Sequence, residues 1–146
     1  MSQYPPEYGS AYQKAVQAIE AGVYYGRLNF CYNLKGDLFK IPPQLFDCLD
    51  LEHLELSSAG TSNVVLKTLP PEIGRLQNLK SIRINGIQLD ALPKEIGALK
   101  KLELLNLVQN NLSALPSSLS TLQNLKSISL FGNQFQVFPS VLFQLN

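Results

Sequence analysis

Leu69-Pro70-Pro71-Glu72-Ile73-Gly74 returns as Leu92-Pro93-Lys94-Glu95-Ile96-Gly97, and then in shortened form as Leu115-Pro116 and Phe138-Pro139. Each step is 23 residues: 92 − 69, 115 − 92 and 138 − 115. Self-similarity at one fixed period describes a row of small units, each burying its apolar side against the next, rather than a globule around one central core.

Between these signatures a second pattern keeps the same beat. Leu79-x-x-Ile82-x-Ile84, Leu102-x-x-Leu105-x-Leu107 and Leu125-x-x-Ile128-x-Leu130 superimpose, with an earlier copy at Leu51-x-x-Leu54-x-Leu56. The alternation of the last two apolar positions predicts a short strand with one buried side. A polar turn follows, then another apolar residue: Ile87-x-Leu89, Asn110-x-Leu112, Asn133-x-Phe135. A lone strand this short does not hold; strands stacked in parallel at about 4.8 Å share their backbone hydrogen bonds. Leu79, Ile82 and Ile84 are therefore expected in one core with Leu69, Ile73, Leu76 and Leu89. Seven of the nine prolines (Pro42, Pro43, Pro70, Pro71, Pro93, Pro116, Pro139) fall in one slot of the repeat. That slot suits the start of a short helical or 3₁₀ turn, where no N–H donor is needed. Gly74 and Gly97 are predicted to stop that turn.

Together the positions read Leu-x-x-Leu-x-Leu-x-x-Asn-x-Leu. Over about residues 28–146 the chain resembles the leucine-rich-repeat family. Its Leu-Pro-x-x-Ile-Gly-x-Leu-x-x-Leu flavour resembles the 23-residue repeats of the intracellular Ras-group and bacterial members. The resemblance implies an α/β right-handed solenoid, with a curved parallel sheet on the concave side and short helical or 3₁₀ turns on the convex side. It implies a protein-interaction role. It also implies that the repeat asparagine bonds backbone groups of its own and the neighbouring turn. Asn110 and Asn133 match, whereas Ile87 does not. The ladder is expected to break there, leaving that turn to backbone or water.

The beat is broken at three places. Ile41-Pro42 to Leu69-Pro70 spans 28 residues, five more than the repeat, and the excess falls near Ala59-Gly60-Thr61-Ser62-Asn63. Such residues form a loop, either a tolerated insertion or a binding loop. Leu28 to Leu38 is a degraded first repeat with two readings: one places Cys31 and Asn33 where Leu is usual, the other turns Leu28, Phe30 and Tyr32 inward. Upstream, Ser10-x-x-Gln13 has the pattern of a capping box, Tyr12, Ala15, Val16 and Ile19 share a helical face, and Gly22 is a stop. This helix is expected to cover the N-terminal end of the core. The division is thus 1–27, tail and capping helix, and 28–146, repeats: about four full units with a degenerate first strand and an incomplete last one. At the other end Val137 to Asn146 begins a unit and stops. Its apolar residues are expected either to fold over the edge, to mark a fragment of a longer chain, or to self-associate.

Composition narrows the function. Among 146 residues the formal charge is +1, so no bulk field draws the chain to nucleic acid or anionic membrane. No 20-residue apolar run is present. Met1 to Gly9 is polar and Pro-bearing, unlike a secretory signal, and a cytoplasmic setting is expected. Cys31 and Cys48 align with leucines of other repeats and are expected as buried thiols rather than a disulfide or metal site. No cofactor is expected.

The residues flanking each buried pair point to the concave face: His53, Glu55, Ser57; Ser81, Arg83, Asn85; Leu104, Asn106, Val108; Ser127, Ser129, Phe131. The binding face is expected at His53, Glu55, Arg83, Asn85, Leu104, Asn106, Val108, Ser129 and Phe131. Glu55 and Arg83 should sit side by side as a modest ion pair. Leu104, Val108 and Phe131 are apolar where the core does not need them and should form a contact patch. His53, the sole histidine, has Glu55 on its face but no nucleophile in a catalytic setting. The sequence reads as a non-catalytic module for a protein or peptide, without nucleic-acid or membrane partners. The alternatives are the recognition portion of a larger kinase, GTPase or ubiquitin ligase, or a structural solenoid self-associating through its C-terminal edge.

Overall fold

The computed structural model describes residues 10–32, 41–58 and 65–145, and only the backbone of 10–12 and 30–32. A helix, α1 (Ser10–Ala21), leads into β1 (Arg27–Tyr32). Then β2 (His53–Ser58), β3 (Ser81–Asn85), β4 (Leu104–Asn106) and β5 (Ser127–Ser129) follow, each preceded by a 3₁₀ turn: Pro43–Asp47, Pro71–Arg75, Lys94–Ala98 and Ser117–Thr121. A fifth turn, Ser140–Gln144, closes the series. The strands form one parallel sheet in sequence order.

The prolines start the turns as expected. Pro42, Pro70, Pro93, Pro116 and Pro139 stand at the N-caps with extended backbone. The carbonyls of Pro70, Pro93 and Pro116 each accept from an N–H three residues on, at 3.1 Å. That is a 3₁₀ bond, and five residues are too few to relax into an α-helix. The expected role of Gly74 and Gly97 is corrected. Both lie inside their turns, which end at Leu76 and Leu99 with φ near −80°. What Gly97 provides is space: a Cβ there would stand 2.5 Å from Ser118 O of the next coil.

The core is the expected one. Leu69, Ile73, Leu76, Leu79, Ile82, Ile84 and Leu89 are all buried. Cys48 sits at the turn-ending position that Leu76, Leu99 and Leu122 hold elsewhere. It is buried, its thiol lies 3.6 Å from Gln44 O, and burial raises its pKa. The Cys31 side chain lies outside the described residues. Register settles the first repeat: Leu28 pairs with Leu54 and Phe30 with Leu56, and Leu28 is buried. Leu28, Leu54, Ile82, Leu105 and Ile128 form one column, and a one-residue slip would turn the whole strand inside out. Asn33 and the rest of that unit through Leu38, and the Ala59–Asn63 excess, lie outside the described residues.

Two polar columns tie coil to coil. Asn110 is 2% exposed. Its Oδ1 accepts from Ile87 N (3.3 Å) and Leu89 N (3.2 Å), and its Nδ2 donates to Ile84 O (2.7 Å) and Leu107 O (3.0 Å). Asn133 repeats this one coil later, accepting from Leu112 N (3.0 Å) and donating to Leu107 O and Leu130 O (both 2.8 Å). At Ile87 the ladder breaks as expected: the Leu66 N–H donates to Ile87 O (2.9 Å), so backbone takes over. On the surface, Arg75–Asp47 (3.0 Å), Lys80–Glu52 and Lys126–Glu103 (both 2.8 Å) also join successive coils.

The two ends differ. α1 packs on β1 and on the Pro43–Asp47 turn. Ala15 and Val16 are buried and Ile19 lies against the core. The helix stops at Gly22, whose φ of +66° lets Val23 N reach Ala18 O at 2.9 Å. The Tyr24 hydroxyl then donates to Asp50, fastening the cap to the first coil. Tyr12 and the Ser10 end of the capping box lie outside the described side chains. At the C-terminal end Ile128, Leu130, Phe135 and Leu142 are half-buried, where Leu105, Leu107, Leu112 and Leu119 one coil earlier are fully buried. The last turn folds Val141, Leu142 and Leu145 onto the core. It leaves Val137, Phe138 and Phe143 exposed, with the two phenylalanine rings 5.1 Å apart.

Candidate sheet-face interaction surface

The face of the sheet opposite the leucine column is laid out in rows by the register. Arg27, His53, Ser81, Leu104 and Ser127 form the first, and Asn29, Glu55, Arg83, Asn106 and Ser129 the second. Ser57 pairs with Asn85 in the third. Backbone bonds continue it: Val108 O accepts from Gly86 N (3.2 Å), and Phe131 O from Gln109 N (2.8 Å). Of the sequence-predicted face residues, His53, Glu55, Arg83, Asn85, Leu104, Asn106 and Ser129 are register partners at outward strand positions, and Val108 and Phe131 follow the ends of β4 and β5.

The details depart from expectation in three respects. Glu55 and Arg83 are register partners, but among the described residues no ion pair joins them. Arg83 donates to Ser81 Oγ (2.8 Å) instead, two residues back on its own strand. Leu104, Val108 and Phe131 do not form one patch. Val108 and Phe131 are neighbours, whereas Leu104 is four residues back along its strand, about 13 Å at the usual rise per residue. Phe131 is 79% exposed and Val108 half-buried beside it. The carboxylate within reach of His53 is Glu52 (3.9 Å), not Glu55.

Arg27 and Asn29 belong to this face and escaped the sequence reading. They could have been found from the register that turns Leu28 inward, because it turns 27 and 29 outward. Arg27, Asn29, His53, Glu55 and Arg83 rim a shallow depression of about 160 Å³ floored by Leu28 and Leu54. Its field is cationic near the imidazole. Burial, then Arg27, with Lys80 and Arg83 beyond, holds the His53 pKa below its ordinary value against the pull of Glu52. The Oδ1 of Asn85 is buried, without a hydrogen-bond partner among the described residues. Asn106 bends back to accept from Val108 N (3.2 Å), leaving that row's centre less able to reach a ligand. Larger hollows lie elsewhere: about 550 Å³ on the turn side between Ile41, Phe46 and Arg75, and about 390 Å³ near Leu115, Phe135 and Phe138. Among the described residues no three His, Cys, Asp or Glu side chains gather as for a metal ion. No helix among them is long and apolar enough to cross a membrane.

A parallel sheet built one strand per coil, 3₁₀ turns opposite, a leucine column and an asparagine ladder define the leucine-rich-repeat solenoid, and this chain has that fold. Solved structures share it. The leucine-rich repeat domain of the type III effector XopL superposes with a TM-score of 0.60 at 21% identity, over 96% of this chain and 56% of that one. A plant ice-binding protein gives 0.60 at 31% identity, over 74% of this chain and 34% of that one. The plant peptide hormone receptor RGFR1, in complex with RGF2, gives 0.53 at 22% identity, over 80% of this chain and 22% of that one. The chain therefore spans between a fifth and somewhat over half of these structures. No protein-family model and no curated protein matches the sequence.

Proposed function

We propose that the protein is a non-catalytic interaction module that takes a protein or peptide across the strands of its sheet face. The observation carrying this reading is the pair Phe131 and Val108, apolar and unneeded by the core, on the same face as Arg83, Arg27 and His53. An apolar anchor bordered by polar and charged groups is the anatomy of a protein-binding patch. The occupant would set an apolar side chain on Phe131 and an acidic group toward Arg83 and Arg27, with Glu55, Asn85, Leu104, Asn106 and Ser129 lining its course. The fold itself supports binding in general, since a structure sharing it is a peptide hormone receptor in complex with RGF2.

The test is a side-by-side affinity capture with wild type, the Arg83→Ala/Phe131→Ala double variant, and a turn-side control, Glu72→Ala/Lys94→Ala. Glu72 and Lys94 are exposed on the opposite side. A polypeptide retained by wild type and control but lost from the double variant supports the sheet face. Equal retention by all three, or loss only from the control, places binding elsewhere.

A further inference from the structure

His53 is the sole histidine of the chain, and it stands on the rim of the depression over Leu28 and Leu54. The register sets Arg27 beside it on β1, Glu55 two residues further along β2, and Arg83 beside Glu55 on β3. The two arginines thus hold opposite corners of a frame whose middle is Leu54. Among the described residues neither arginine has an ion-pair partner, and neither has Glu55. Lys80, the next cation, is engaged by Glu52 at 2.8 Å. Two arginines against one carboxylate leave the rim a single net positive charge while His53 is neutral. That balance suits a singly charged carboxylate better than a phosphate dianion.

We propose that this depression receives an acidic side chain of the polypeptide taken by the sheet face, and that His53 couples its occupancy to pH by gaining a proton as the carboxylate enters. The inference rests on the sheet-face reading and deepens it. The cause is the charge around the imidazole. In the free protein burial, Arg27, Lys80 and Arg83 oppose its protonation, and Glu52 favours it. A carboxylate among the arginines offsets their field and accepts a hydrogen bond from the imidazolium, so the charged ring becomes the favoured form. Proton and ligand then assist one another. Each unit by which the carboxylate raises the His53 midpoint is about a tenfold gain in affinity from alkaline to mildly acid solution.

The register also fixes where that acidic residue falls in the occupant. From Leu54 to Ile128 is three strand spacings, and Phe131 lies three residues further along. The separation is about 17 Å at the usual spacings. In an extended occupant the acidic residue is therefore expected about five residues from the one set on Phe131.

The test follows the Hε1 proton resonance of His53, a single signal because the chain has one histidine. The signal is titrated from pH 8 to 5, above the range near 3.9 where aspartates themselves titrate. The probes are acetyl-Asp-Asp-amide, its neutral isostere acetyl-Asn-Asn-amide, and sulfate as a dianion, all at one ionic strength. The proteins are wild type, Arg27→Gln/Arg83→Gln, Glu55→Gln and a turn-side control, Arg75→Ala. The Asp-Asp probe at saturation should raise the midpoint by about half a unit or more, and the Asn-Asn probe should not. The double arginine variant should start from a higher midpoint and lose the response, Glu55→Gln should bind the probe more tightly, and Arg75→Ala should match wild type. A midpoint unmoved by Asp-Asp, moved equally by Asn-Asn, or still moved in the double arginine variant would overturn the proposal. A response to sulfate without one to Asp-Asp would overturn the assignment to a carboxylate. The small probes report on the depression without the partner protein. Their failure beside a capture that depends on Phe131 therefore removes this inference alone, whereas failed capture removes the sheet-face reading.

Discussion

The carboxamide of Asn110 accepts the backbone N–H of Ile87, one coil back, at 3.3 Å. A side chain from one repeat thereby completes the turn of the previous repeat. Replacing Asn110 with Ala strands the N–H groups of Ile87 and Leu89 and the carbonyl of Ile84 in a buried place. The expected cost is about 2–4 kcal/mol, read from urea midpoints. Asn133→Ala, half-buried at the open end, should cost less. Equal and negligible losses would refute the ladder as a structural tie.

Leu105 and Ile128 hold the same position one coil apart, yet Leu105 has coils on both sides and Ile128 on one. Leu105→Ala should lose about 2–5 kcal/mol, and Ile128→Ala about 1–2 kcal/mol. Thermal or urea unfolding of the two variants checks the order; the reverse order would contradict the stacking.

Gly97→Ala should destabilise by about 1–3 kcal/mol, because its methyl meets backbone rather than a movable side-chain end. Gly74→Ala, with its nearest neighbour the Glu95 Cβ at 3.1 Å, should be milder. A neutral Gly97→Ala in a denaturation series would show that the coils pack less closely than described.

The pattern of what sequence reveals follows from these contacts. Leucines and prolines recur because every coil solves the same packing problem, so the core column and the turns were legible from periodicity alone. The glycines of the Ile-Gly pair recur too, but their purpose is set by the neighbouring coil, and a one-coil reading misassigned them as stops. Arg27 and Asn29 were missed because the first repeat lacks the leucine spacing that fixes which side faces out. The bond of Arg83 to Ser81 rather than Glu55 depends on side-chain conformation, which register alone does not determine. Likewise, sharing an apolar character did not bring Leu104 to Phe131, since rows separate them along the strands.

Stability should fall on acidification, in two stages. The folded pKa of His53 lies below its ordinary value of 6.5, so between the two the unfolded chain binds a proton that the folded chain resists. Stability is therefore lost as pH drops through that window. Glu52 and Glu103 have pKa values lowered from 4.5 by hydrogen bonds to Lys80 and Lys126. Their contribution is present above 4.5 and disappears as pH falls through the folded values. Urea midpoints at pH 8, 5.5 and 3.5 should decrease in that order. His53→Asn should remove the first drop and leave the second. A midpoint that rises between pH 8 and 5.5 would contradict the cationic setting of His53.

The central claim is that one interior column, Leu54, Ile82, Leu105 and Ile128, fixes which side chains face out. Nuclear magnetic resonance of the chain, labelled at its leucine and isoleucine methyls and its phenylalanine rings, tests it directly. Nuclear Overhauser contacts should step in order from Leu54 to Ile82, Leu105 and Ile128, while a paramagnetic agent in solvent should broaden Phe131 and leave Ile82 and Leu105 sharp. Broadening of the leucine column, or contacts that link these methyls to residues of the outward rows, would contradict the account.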